Sequence, residues 1–422
     1  MTLLLEGGRL LCPETGLDRI ADLLIVEGRI DAIGPAEAAG LEGIERVDCA
    51  GFVVTPSLVD LSAELCDPGR TWLEDLETGS AAAAAGGFTT VLMSPRTDPV
   101  VQDAATVRDL VQRARATSAI DLRVAGALTV DLAGEQLAEV GLMIEAGAAA
   151  LSDGGRVISS SMVARHAMLY AARLGRPLLL RPGEPILEGG VMHEGVVSTL
   201  IGMRGIPASA EVIGVARLTA LALETGAPVH LTDVTTAQGV ALLRHARAQG
   251  APVTASVSAH HVLLTDEAVA DSGYDTNTRL SPPLRSQADR QAVIEALGDG
   301  TIDAVHSAHA PRNRVGKERE FALASPGAVG LETALSATVE GVGDLALALS
   351  VLSARPARVL GLERRIAVGS PAELVILDPS ARSQTAPERF FSKCRNTPLA
   401  GRELPVVVQG TLSEGRLVYT RS

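Results

Sequence analysis

Short aliphatic runs separated by turn residues open the chain. Leu3–Leu5, Arg9–Cys12, Asp22–Val26 and Arg29–Ile33 alternate with Gly-Gly, Pro-Glu-Thr-Gly and Glu-Gly, a pattern of brief strands joined by turns. The C-terminal stretch repeats it, with Ala372–Leu377, Leu404–Gln409 and Leu417–Tyr419 as apolar runs. Two β-rich ends around a different middle predict one small β-sandwich-like domain, assembled from residues 1–55 and 363–422.

The middle, residues 56–362, alternates two periodicities. Thr89–Met93, Leu122–Ala125, Pro177–Leu180, Pro228–Leu231, Pro252–Val257 and Ile302–His306 are short β-branched or aliphatic runs. Between them lie Ala/Leu/Arg/Glu stretches at helical spacing, such as Val212–Thr225 and Ala237–Gln249. Strand and helix repeating over so long a segment predict a (β/α)8 TIM barrel. A doubly wound sheet competes, but the early strands lack a following G-x-G-x-x-G. The Ala81–Ala85 run before Gly86-Gly87 reads as a tightly packed helix.

Composition narrows the function classes. Hydrophobic residues make up 46% and charged residues 21% of 422, which fits a soluble globular protein. A net charge of -13 argues against nucleic acid or an anionic membrane as partner. The chain has only two lysines, Lys317 and Lys393, so few candidates exist for a catalytic or carbamylated lysine. Cys12, Cys49, Cys66 and Cys394 form no CxxC pair and are expected as reduced, buried thiols. The start, MTLLLEGGRLL, lacks the basic region of a secretory signal, and no apolar run reaches membrane-span length. A cytoplasmic location is expected.

Chemistry in such a barrel belongs at the C-terminal strand ends. Of eight histidines, His166 and His245 fall in helical stretches with arginine neighbours, on expected solvated faces. No H-x-H and no HExxH occurs; the close pairs are His260-His261 and His306-x-x-His309. The segment Val54–Gly69, VTPSLVDLSAELCDPG, resembles the dihydroorotase signature, in which a Pro-Gly-x-x-Asp strand leads into His-x-His-x-Arg-x-Pro-Gly. AAAAAGGFTTVLMSPRTDP, ALSDGG, GVMHEG, LETGAPVHLTDVTT, VTASVSAHHVLLTDE, SPPLR, DGTIDAVHSAHAP, GAVGLETAL and SKCRNTPLAGREL follow in the family's order. The resemblance therefore covers essentially the whole chain and implies a barrel of amidohydrolase type.

The same resemblance implies that the functional positions have changed. Where the family's paired metal histidines end the first barrel strand, this chain has Ser62 and Glu64. Arg181 stands for a histidine after the fifth strand, and Asp233 for the second histidine of HxxHVS, with His230 retained beside it. Ala308 replaces the Asp of DHAP, at once ligand and base; only Asp153, in SDGG, matches an acidic ligand. Among substrate positions, Cys66 replaces an arginine, Arg96 the asparagine of Met-Pro-Asn-Thr, and Ser281 the asparagine before Pro-Pro-Leu-Arg. Zinc hydrolysis needs three or four imidazole or carboxylate donors, and a permanently charged arginine repels a cation.

The remaining acids Glu64, Asp153, Glu184 and Asp233 either form a hard-cation site or pair with Arg181, Arg96 and Arg156, the reading favoured here. His260, His261 and His309 are expected in core roles with hydrogen-bonded imidazoles, and Cys66 as an inert buried thiol. The SDGG and HAP turns are expected to persist for backbone reasons.

Taken together these readings predict a chain that is not an enzyme, with no cofactor and no metal. The resemblance implies a non-catalytic subunit that holds an aspartate carbamoyltransferase catalytic chain in a larger assembly for pyrimidine biosynthesis, with homo-oligomers inside a hetero-oligomer. The alternative is a divergent cyclic-amide hydrolase with a rearranged metal site. A third reading is an inactive barrel that senses a pyrimidine intermediate or nucleotide.

Overall fold

Eight parallel strands follow one another around a nearly closed barrel in the computed structural model, which describes residues 2–34 and 44–421. In chain order they are Leu58–Ala63, Phe88–Met93, Asp121–Ala127, Ala150–Ser152, Leu178–Leu180, Val229–Leu231, Val253–Ser258 and Ala304–His306. Each pairs with the next. The fourth, short and alanine-rich, escapes the sequence reading; the first, which directly follows the strand Val53–Pro56, has no periodicity of its own and is placed only through the family resemblance.

The barrel closes without a regular ladder between its first and eighth strands. One isolated bridge joins Ala63 to His309, and the Glu64 amide donates to the His309 carbonyl at 2.8 Å. The fully buried Asp60 carboxylate completes the seam, accepting the Ser307 amide at 2.6 Å and its hydroxyl at 2.8 Å. Burial pushes the Asp60 pKa up.

Local chemistry fixes the surrounding helices. The alanine run lies in the helix Leu76–Ala85, whose N-terminus carries a capping box between Asp75 and Thr78. Ser160, Thr236 and Ser286 cap the helices Ser161–Leu174, Ala237–Ala248 and Gln287–Asp299. Side chains alternate along a strand, so Leu92, Leu179 and Ala304 face the same way as Ser94, Arg181 and His306 two positions later. With Val59, Leu61, Ala357 and Leu360 they form a buried apolar cluster beneath those polar ends.

The two termini build a separate β-rich unit. One sheet has the order Arg29–Ile33, Leu23–Val26, Thr2–Glu6, Glu45–Asp48. The other runs Arg416–Thr420, Glu403–Ser413, Leu374–Gln384, Val53–Pro56, Arg9–Cys12, Leu17–Ile20. Leu3, Leu23, Ile25, Val54, Leu374 and Leu412 share its core. Residues 35–43 of the expected N-terminal segment lie outside the described residues, and the domain limits at 56 and 363 are kept as a proposal. All four cysteines are buried and unpaired, while His166 and His245 are exposed; all of these match expectation. Among the described residues no helix is long and apolar enough to cross a membrane.

His230, on the sixth strand, bridges Thr254 and Ser256 of the seventh, at 2.9 Å each. Burial pushes its pKa down to about 3, and that of His260 likewise to about 3. An imidazole in the unfolded chain protonates near pH 6.5, so below that pH the unfolded state binds more protons and stability falls as pH falls. Each imidazole costs about 2 kcal/mol between about pH 6.5 and 5; His306, whose pKa is raised by Asp233, offsets part of this. Urea unfolding should therefore show a lower unfolding free energy at about pH 5 than at about pH 7.5, by about 2 kcal/mol. Equal values would contradict the buried neutral imidazoles.

Candidate active site

Seven of the eight strands send residues from their C-terminal ends into one cavity of about 330 Å3. Ser62 and Glu64 come from the first, Arg96 follows the second, and Gly154 to Arg156 follow the fourth. Arg181 and Glu188 follow the fifth, Asp233 the sixth, Ser258 to His261 the seventh, and His306 to Arg312 the eighth. Of the residues singled out in the sequence, Ser62, Glu64, Arg96, Arg181, Asp233, Ser281 and Ala308 line this cavity; Asp153, Cys66 and Glu184 do not.

Backbone constraints explain how the walls are set. Asp233 and Ala308 both hold left-handed conformations, at φ 58° and 49°. Aspartate tolerates that region, but alanine does not, at a cost of about 1–2 kcal/mol. Gly154 sits at φ 58°, and a Cβ there would meet Ser94 Oγ at 2.9 Å and Arg96 Cβ at 3.0 Å. The SDGG turn thus persists for the expected backbone reason, whereas at the HAP turn Ala308 sits in a conformation alanine disfavours.

The charges form specific pairs, which bear out Arg96 with Glu64 and correct the rest of the expected pairing. Glu64 is shared by Arg312, at 2.6 and 3.2 Å, and Arg96, at 3.2 Å. Burial favours its neutral form, but the two guanidiniums outweigh that and hold its pKa below the usual range. Arg181 grips Glu188 with two hydrogen bonds of 2.9 and 3.0 Å, not Glu184, which starts a short turn at Pro185–Leu187. Arg156 is exposed at the rim and, among the described residues, has no carboxylate partner. Glu188 and Arg312 went unnoticed in the sequence because a loop contact seven residues apart and one 248 residues apart leave no periodic signal.

Asp233 faces His306, with Oδ1 3.1 Å from Nε2. The approach is off the hydrogen-bond direction, so this is an ion pair and not an aligned hydrogen bond. Burial works against both charges, yet each stabilises the other: the Asp233 pKa lies below its ordinary value and that of His306 above. His306 appeared in the sequence only as half of a close histidine pair.

The other histidines divide. His261 Nδ1 lies 2.7 Å from Ser258 Oγ and its Nε2 3.1 Å from the Pro283 carbonyl. His309 Nδ1 accepts the Gly330 amide at 3.3 Å, and its Nε2 is 3.4 Å from the buried Glu74. His260 departs from expectation: it is buried and lines the cavity, but among the described residues neither ring nitrogen has a hydrogen-bond partner.

Two expected site residues are used elsewhere. The Asp153 carboxylate accepts the Leu128 and Thr129 amides at 3.0 and 2.9 Å and the Thr129 hydroxyl at 2.6 Å, fastening the loop after the third strand. Cys66 packs with Leu73, Val329 and Cys394, and burial pushes its thiol up to about 12, so it is inert, as expected, but outside the cavity.

The metal centre implied by the resemblance is tested by these contacts. Asp153 is saturated, Asp233 is neutralised by His306, and a guanidinium stands at Arg181. Among the described residues no group of three or more His, Cys, Asp or Glu side chains is arranged to hold a metal ion. The residues present do not fit the metal.

A family model described as "Dihydro-orotase-like" matches residues 51–238. A dihydroorotase from Citrifermentans bemidjiense is 40% identical over 425 residues, covering 99% of this chain and 100% of its own. One from Desulforapulum autotrophicum is 42% identical over 406 residues, covering 95% of each. The structure of an L-hydantoinase (dihydropyrimidinase) from Arthrobacter aurescens superposes with a TM-score of 0.88 at 22% identity, over 100% of this chain and 96% of that one; it shows the fold alone. The full-length relatives overturn the expectation of a chain that is not an enzyme. They carry an enzyme's name at about 40% identity, so the lost ligands mark an altered site within an enzyme family and do not license a pseudoenzyme.

Proposed function

The chain belongs to the dihydroorotase-like family, and on that premise we propose that its central cavity opens and closes the ring of a small carboxylated cyclic amide of the dihydroorotate type. The observation that carries this reading is the cavity's charge. Four arginines face only three carboxylates, Glu64, Glu188 and Asp233, and Asp233 raises the pKa of His306 beside them, leaving a surplus that suits an anionic substrate. Arg156, with no carboxylate partner, takes the substrate carboxylate at the rim. The unpartnered ring of His260 supplies a hydrogen bond that a cyclic amide can complete.

In this reading water adds its oxygen to the ring carbonyl carbon, and the carbon–nitrogen bond breaks. Asp233 accepts the proton leaving the water and His306 delivers one to the departing ring nitrogen; the proton on Asp233 then passes to His306 Nε2, 3.1 Å away, which restores the pair. The product is an open ureido acid, N-carbamoyl-aspartate when dihydroorotate is the substrate. The reverse sequence closes the ring. No step is routed through a metal.

The test is turnover of dihydroorotate and of N-carbamoyl-aspartate by the purified full-length chain. Asp233→Asn and His306→Gln should each lower kcat by about 100-fold or more, with unchanged circular dichroism. No wild-type turnover in either direction, or equal rates in the variants, would contradict the assignment.

A second reading, independent of activity, concerns the expected partner and the expected homo-oligomer within a hetero-oligomer. Ile186, Val196 and Leu200 are 87%, 76% and 80% exposed, which is unusual for large aliphatic side chains so close in sequence. They favour a protein partner, and we carry an aspartate carbamoyltransferase chain as the proposed one. Co-expression followed by mass determination should give one complex of fixed stoichiometry; two separate species would remove this reading.

A further inference from the structure

Beside the central cavity lies a wider cleft of about 900 Å3. Trp72, the only tryptophan of the chain, lines it with 65% of its surface exposed. An indole left this open to water is a stacking platform without an occupant. The two lysines of the chain line the same cleft, and with four arginines they set six cations against three carboxylates, in a protein of net charge -13.

Three of the six have a carboxylate partner: Arg312 with Glu64, Arg314 with Glu318, and Lys393 with Asp75. The other three have none among the described residues and rest on backbone carbonyls. Lys317 Nζ donates to Thr276 at 3.0 Å, Arg319 Nε to Val315 at 3.1 Å, and Arg395 to Cys394 at 3.2 Å. Lys317 is buried; loss of water, with Arg312 near by and Asp275 only partly opposing, pulls its pKa down to about 7. An anion placed beside it would restore its full charge.

We propose that this cleft binds a nucleotide, its base stacked on Trp72 and its phosphates among Arg319, Arg395 and Lys317. Guanidinium and ammonium groups without counter-ions favour phosphate, and a flat ring beside them favours the attached base. The cleft also adjoins the first site physically. Arg312 lines both cavities and clamps Glu64 in the central one, so a phosphate that draws Arg312 outward loosens Glu64.

Trp72 makes the test direct, because its fluorescence reports on this cleft alone. Adenosine 5′-diphosphate titrated into the full-length chain should quench it saturably. The double variant Arg319→Ala/Arg395→Ala should weaken that binding about tenfold or more without altering the far-ultraviolet circular dichroism. Inorganic phosphate should compete, but more weakly than the nucleotide. No saturable quench, or equal affinity in the double variant, would overturn the proposal. Phosphate binding as tightly as the nucleotide would overturn the stacking role. An emission already blue-shifted and indifferent to nucleotide, in a chain that sediments as a dimer, would assign Trp72 to a protein interface instead.

Discussion

The buried Asp60 carboxylate is the constraint on which the site depends. The first and eighth strands share no regular ladder, and Asp60 fastens them by accepting both donors of Ser307. That seam brings residues 62–64 beside residues 306–312, although nearly the whole barrel separates them in sequence. Burial pushes the pKa of this carboxyl up, and His306 and the two Ser307 hydrogen bonds oppose that only in part. The two hydrogen bonds set the spacing of the cavity wall.

Once the wall is closed, charge decides the rest. Glu64 stands between Arg96 and Arg312, Arg181 is occupied by Glu188, and Asp233 by His306. Each of these charges has an opposite one within hydrogen-bond range, which is the condition for keeping such ions in a low-dielectric interior. The result is a polar pocket with four arginines against three carboxylates, a surplus that suits an anionic substrate on the reading proposed above.

Much of the fold was legible in the sequence, because strand and helix periodicities and the chain of family motifs point the same way. The fourth barrel strand was not, being three residues long, and the first, which abuts another strand, was legible only through its motif. Within the site, Ser62, Glu64, Arg96, Arg181, Asp233, Ser281 and Ala308 were placed together correctly, because strand-end positions converge in any such barrel. Asp153 and Cys66 find their partners outside the cavity: a motif fixes a position along the chain, not the direction in which a side chain finds its partners. Glu188, Arg312 and the His306–Asp233 pair emerge only in three dimensions. The step from missing ligands to missing activity is overturned by the full-length relatives, which carry an enzyme's name at about 40% identity.

The most direct measurement is a crystal structure of the chain with N-carbamoyl-aspartate. The account predicts ligand in the central cavity, with a carboxylate at Arg156 and the ureido group beside His306 and Asp233. A cavity that stays empty at saturating ligand, or ligand bound only at the Trp72 cleft, would contradict it.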